Sequence, residues 1–192
     1  MNKETSCDGA AWERRCFAVD RRRVRSQRRT VTWILAALCA CAPATLPPSA
    51  PSALIGEPIP EFSRRSLGGQ SVKTEDLRGK IVVVEFFARY CEPCWKHLPR
   101  LQRWARANPD VQVIGLGGDE YASDTEAMVR ALDVRFPVVH DAGLALTARF
   151  RVDKIPSTLV IDRAGTVRWR SFPGDGLGEV DRAVKALRAG LE

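Results

Sequence analysis

Residues 81–87 read Ile-Val-Val-Val-Glu-Phe-Phe, a β-branched and aromatic run broken by one charge. Such a run predicts a central strand covered on both faces. Residues 92–107 then place apolar side chains at Trp95, Leu98, Leu101, Trp104 and Ala105, the spacing of one helical face. Asn108-Pro109-Asp110 stops that helix, and residues 111–116 read as the next strand. Residues 123–133 predict a helix with Ser123 or Asp124 as its N-cap. Strands at 136–139 and 158–161 flank a helix near 143–150, and residues 167–171 can pair with 158–161 across the turn Arg163-Ala164-Gly165. An amphipathic helix over 177–189 closes the chain. Strands alternating with helices predict an α/β fold with a central mixed sheet flanked by helices.

The first 53 residues follow neither period, and charge separates them from the rest. The formal charge is +7, yet residues 1–41 hold nine Lys/Arg against four Asp/Glu, and residues 42–192 hold 21 against 19. The basicity belongs to the leader, so nucleic-acid binding loses its main support. Residues 21–29 carry six arginines and no acid, and twelve mostly apolar residues follow from Val31 to Ala42. As a helix that stretch would be about 18 Å long, against a bilayer core of about 30 Å. This is the layout of an export signal rather than of a membrane span. Leu38-Cys39-Ala40-Cys41 resembles the lipobox of bacterial lipoproteins, which implies lipidation at Cys41. The alternative is an ordinary signal peptide cut nearby after a small residue. Residues 1–20 match no targeting pattern; they read as a long cytoplasmic n-region or as sequence ahead of the true start. Residues 42–53 carry four prolines among small residues and read as an extended spacer. The expected organisation is a basic leader and export signal over 1–41, a Pro/Ala-rich linker over 42–53 and one folded domain over 54–192. With 45% hydrophobic and 28% charged residues, that domain can bury a core.

Cys91-Glu92-Pro93-Cys94 stands where the buried strand gives way to the helix. A cysteine in the first turn meets unpaired backbone N–H groups and the positive end of the helix dipole, which favour a thiolate. Two intervening residues let the second sulfur reach the first, so Cys91 can attack a disulfide and Cys94 can resolve the mixed intermediate. The alternatives are half a zinc site or a purely structural disulfide. Zinc wants a second Cys/His pair at suitable spacing, and the sequence has none; haem attachment wants His after Cys94, where Trp95 stands.

The folded part resembles the thioredoxin-like, membrane-tethered thiol-disulfide oxidoreductases of the TlpA/ResA type. The resemblance runs over residues 55–190 and rests on Ile55-Gly56-Glu57-Pro58-Ile59-Pro60-Glu61-Phe62, Leu77-Arg78-Gly79-Lys80, the Cys-Glu-Pro-Cys centre and Ile155-Pro156-Ser157-Thr158. It implies a thioredoxin-like fold with an N-terminal β-hairpin extension and a redox-active Cys91–Cys94 disulfide with no further cofactor or metal. It implies that Pro156 is cis and faces the disulfide, and that the Ile155 backbone pairs with an extended client segment. Without the cysteines, Pro156 would read as a strand-entry proline. Tyr90 stands where the family usually has Trp, keeping an aromatic against the client beside Cys91. His97 stands where ResA-type relatives often carry Glu, and a histidine can serve in acid/base work near neutral pH. Arg89 adds a cation close to Cys91. Protein thiol/disulfide clients are implied, apocytochrome c among them, with an upstream membrane electron donor and a place on the outer face of a bacterial membrane or in the periplasm.

Glu85 lies six residues before Cys91, where thioredoxin itself places a buried acid beneath its disulfide. A charged carboxylate in an apolar strand is costly to desolvate. The functional reading is a proton acceptor for Cys94; the alternative is a strand-end carboxylate that reaches solvent or pairs with Lys80 or Arg89. Two other functions compete on the same fold. A copper chaperone would use Cys91, Cys94 and His97 or His140, although copper carriers of this fold usually space their cysteines by three residues. A thiol peroxidase of the peroxiredoxin kind would want a threonine three residues before Cys91, where Ala88 stands. Gly115-Leu116-Gly117-Gly118 lacks the Lys-Ser/Thr of a phosphate loop, His140-Asp141 lacks a serine in a nucleophile elbow, and Trp95, Trp104 and Trp169 read as packing residues.

Overall fold

The computed structural model describes residues 54–171 and 176–190. The leader, the lipidation candidate Cys41 and the linker 42–53 lie outside the described residues. A two-stranded hairpin comes first, β1 (Ser63–Arg65) against β2 (Ser71–Lys73), antiparallel. A 3-10 turn (Thr74–Leu77) leads into β3 (Ile81–Phe87). There follow α1 (Glu92–Ala107), β4 (Val111–Gly117), α2 (Ala122–Ala131), β5 (Val138–His140), α3 (Ala145–Arg149), β6 (Ser157–Ile161), β7 (Val167–Arg170) and α4 (Leu177–Arg188). The five-stranded sheet has the order β5-β4-β3-β6-β7. β3 runs parallel to β4, and β4 to β5, whereas β6 is antiparallel to both β3 and β7. This is the thioredoxin-like arrangement, a mixed sheet flanked by helices with a hairpin at its start.

β3 occupies the centre because each of its residues finds cover. Its side chains alternate between faces, as a strand requires. Val82, Val84 and Phe86 pack with Leu159 and Ile161 of β6 and with Leu146 and Phe150 around α3. Ile81 and Val83 pack with Leu101 of α1 and with Val180, Val184 and Leu187 of α4. Phe87 joins Cys91, Cys94 and Leu98. Glu85 shares the odd-numbered face and therefore points toward α1 rather than to solvent.

Three local expectations are corrected. The helix expected from 123 starts at Ala122, and neither Ser123 nor Asp124 caps it: Tyr121 is the N-cap and makes no side-chain cap bond. Asp124 instead sits in the first turn and pairs with Arg89. The strand expected from 136 starts at Val138. Pro137 still accepts the Gly115 N–H through its carbonyl at 2.9 Å, but proline has no N–H with which to extend the ladder. The single helix expected near 143–150 is a 3-10 turn, Ala142–Leu144, followed by α3, because Gly143 and Leu144 both take positive φ (67° and 57°). The carboxylate of Asp141 closes the new helix start, accepting from the N–H groups of Leu146 at 2.8 Å and Thr147 at 2.7 Å.

Candidate active site around the Cys91–Cys94 disulfide

The chain between β3 and α1 is fixed from several sides. The Gly118 N–H donates to the carbonyl of Phe87 at 2.8 Å, and the Arg89 N–H donates to Asp119 Oδ1 at 2.8 Å. Thr125 Oγ1 holds the other oxygen of the buried Asp119 at 2.8 Å. From the helix side, Trp95 Nε1 donates to the Arg89 carbonyl at 2.8 Å. These bonds deliver Cys91 to the N-cap of α1, where its sulfur accepts from the Cys94 N–H at 3.3 Å. Pro93 fits the first turn, where a missing N–H costs nothing.

Cys91 and Cys94 form a disulfide with Cα atoms 5.3 Å apart. Their exposures differ in the sense that matters for attack: Cys91 keeps 6% of its surface and Cys94 none. The Ile155–Pro156 peptide is cis, and Ile155 packs against the cluster that contains both cysteines. Beside it lies a cavity of about 140 Å³ lined by Phe87, Tyr90, Leu144, Val152 and Ile155 among others. Tyr90, 74% exposed, stands open at this edge next to Cys91. The loop before Pro156 is anchored by the buried Arg170, which pairs with Asp153 and donates from Nε to Ser157 Oγ at 3.3 Å.

Glu85 has no exposed surface. The antiparallel register sets it opposite Thr158, whose hydroxyl donates to Oε2 at 2.6 Å. His97 Nε2, from α1, lies 3.4 Å from the same oxygen, a charge contact rather than a well-formed hydrogen bond. The second oxygen, Oε1, accepts no hydrogen bond among the described residues. Glu85 thus neither reaches solvent nor meets the expected alternative partners: Arg89 pairs with Asp124, and Lys80 is exposed. Burial acts to lower the His97 pKa, but contact with the Glu85 carboxylate and its charge outweigh this and hold it above the ordinary 6.5, with Arg100 opposing weakly.

The fold therefore gathers Cys91, Cys94, Tyr90 and Ile155 at one edge, with Pro156 beside Ile155, and sets Glu85 of β3 against His97 of α1. Residues that sequence reasoning missed are Thr158, Asp119 with Thr125, and Arg170. Thr158 stood within a quoted motif, but its partner becomes visible only once β6 is laid against β3. Among the described residues no group of three or more His, Cys, Asp or Glu is arranged to hold a metal ion. His140 Nε2 lies 2.8 Å from the main-chain carbonyl of Asp119. Nor, among the described residues, is any helix long and apolar enough to cross a membrane.

A profile of the AhpC/TSA family matches residues 55–170. The thiol-disulfide oxidoreductase ResA of Bacillus cereus is 30% identical over 115 residues, which cover 59% of this chain and 66% of that protein. The chain thus spans slightly less than two thirds of that relative. The MTB protein dsbF, solved in mixed oxidised and reduced forms, superposes with a TM-score of 0.62 at 27% identity, over 67% of this chain and 98% of that one. A secreted Mycobacterium tuberculosis disulfide oxidoreductase homologous to E. coli DsbE superposes with a TM-score of 0.60 at 25% identity, over 66% and 96% of the two chains.

Proposed function

The chain belongs to the AhpC/TSA family, and from that premise we propose that it is a thiol-disulfide oxidoreductase that reduces disulfides in client proteins. The observation that carries this reading is the asymmetry of the pair. Cys91 caps a helix N-terminus and keeps slight exposure, whereas Cys94 is fully buried one turn inside. In the reduced protein the helix N-terminus stabilises the Cys91 thiolate, which attacks one sulfur of a client disulfide. The client's other sulfur leaves as a thiolate. Cys94 then bonds to Cys91 and expels the client's second sulfur, so the client gains two electrons and the enzyme disulfide reforms. Glu85 accepts the Cys94 proton in that second step. The client lies extended along Ile155 with a side chain against Tyr90, and Pro156 faces the sulfurs.

The basic leader, the short apolar stretch and the lipobox-like Cys41 support action outside the cytoplasm, with the protein held on a membrane by lipid and the proline-rich linker as spacer. A membrane electron donor would return the dithiol form, and apocytochrome c is a client of the right kind. The peroxidase reading is the weaker one: Ala88, fully buried, brings no hydroxyl to Cys91.

The test is trapping. Cys94→Ser should accumulate mixed disulfides with clients and Cys91→Ser should not; equal trapping by both would overturn the assignment. Equilibration in glutathione buffers with thiol counting checks the direction, since a reductant must lie well below the glutathione couple.

A further inference from the structure

We propose that His97 is the proton exit of the resolving step, taking from Glu85 the proton that Cys94 surrenders and releasing one to solvent. The inference rests on the reading of Cys94 as the resolving thiol and of Glu85 as its proton acceptor. It starts from a difficulty at Glu85. A carboxylate with no exposed surface can accept a proton from a buried thiol but cannot return it to water unaided. Thr158 does not help, since its hydroxyl proton is committed to Oε2. Oε1 is the open acceptor. His97 is the ionisable group in contact with the carboxylate, at 3.4 Å, and its side chain keeps 16% exposure. It lies three residues after Cys94 on α1, hence on the same helical face. Its Nε2 is buried and makes no well-formed hydrogen bond, so no competing donor or acceptor must be displaced when a proton moves.

The electrostatics give the hand-over its direction. Burial lowers the proton affinity of His97, and the charged Glu85 more than restores it. Once Glu85 has taken the Cys94 proton, that attraction is gone. Burial and the Arg100 charge on the same helix then both favour neutral imidazole, and the proton leaves. Among the described residues, the elements packed on α1 bring no comparable charge to this place. β4 faces it with Val113 and Gly115, β6 with the Thr158 hydroxyl, and Asp181 of α4 is engaged by Trp104 and Lys185 two turns further on. In balance, the Cys94 proton moves to Glu85 as the Cys94 sulfur bonds to Cys91. The Cys91–client bond breaks and the client sulfur departs with the electron pair. The imidazolium then yields a proton to water and receives the one on Glu85.

Two measurements on the full-length protein decide it. The first is an NMR titration of the His97 ring in the wild type and in Glu85→Gln. The midpoint should lie above the ordinary value in the wild type and fall in the variant; an unchanged midpoint means the pair is uncoupled and overturns the proposal. The second is single-turnover release of a thiol client from the Cys91 mixed disulfide between about pH 5 and 9, in the wild type and His97→Gln. Release should slow about tenfold or more and lose its inflection in the variant, while formation of the mixed disulfide in a Cys94→Ser background stays unchanged. An unaltered rate and profile in His97→Gln would equally overturn it. If His97→Gln fails to fold, the titration in the other two proteins still decides. If Cys94→Ser traps no client, the failure belongs to the oxidoreductase reading, whereas the titration alone judges the pair.

Discussion

Near the end of β3 a carboxylate without exposed surface shares one oxygen between a threonine hydroxyl and an imidazole. Glu85→Gln keeps the shape and can still accept the Thr158 hydroxyl, but it cannot take a proton. Release of reduced client should slow by about 10²–10⁴-fold in stopped-flow single turnovers, with Cys91 alkylation unchanged. His97 makes a second, thermodynamic prediction. Its folded pKa is raised above 6.5, so its protonation stabilises the fold fully below the unfolded value, and that contribution is lost as pH rises through the folded one. The melting temperature of the wild type relative to His97→Gln should therefore be higher at about pH 5.5 than at about pH 8.5. The cysteines and Glu85 could be picked out from sequence because each breaks the pattern around it. Thr158 could not, since its importance comes from a partner 73 residues away.

At the scale of elements, the approach to Cys91 depends on how closely α2 sits on the end of β4. A Cβ at Gly117 would lie 2.3 Å from Thr125 Cγ2 and 2.8 Å from its Oγ1. Thr125 is β-branched and holds Asp119, which in turn holds the Arg89 N–H, so it has little room to yield. Gly117→Ala should cost about 1–3 kcal/mol in denaturant unfolding and also alter the alkylation rate of Cys91. A stability loss without any change at Cys91 would mean that the Asp119 link does not set the loop. β3 and α1 begin and end where the pattern places them, because a long apolar run and a four-turn amphipathic stretch leave one solution. β5 and α3 do not, because Pro137 and the left-handed pair Gly143 and Leu144 outweigh a few apolar residues. β1 carried no period at all: its three residues are all exposed.

For the molecule as a whole, the sequence reading joins a nearly neutral domain to a basic leader through prolines. If Cys41 carries lipid, Cys41→Ser should move the protein from the membrane to the soluble fraction or leave it unprocessed; unchanged processing and retention would reject the anchor. Across the domain itself, Thr158 stands two residues beyond Pro156 and directly opposite Glu85, so the strand that follows the cis proline also holds the buried carboxylate. Coupling between two sites is reciprocal. Whatever a docked client does to the proton affinity of His97, protonation of His97 must do to the affinity for that client, by the same factor. A client whose docking shifts the His97 titration would then bind with an affinity that follows the acidity around it.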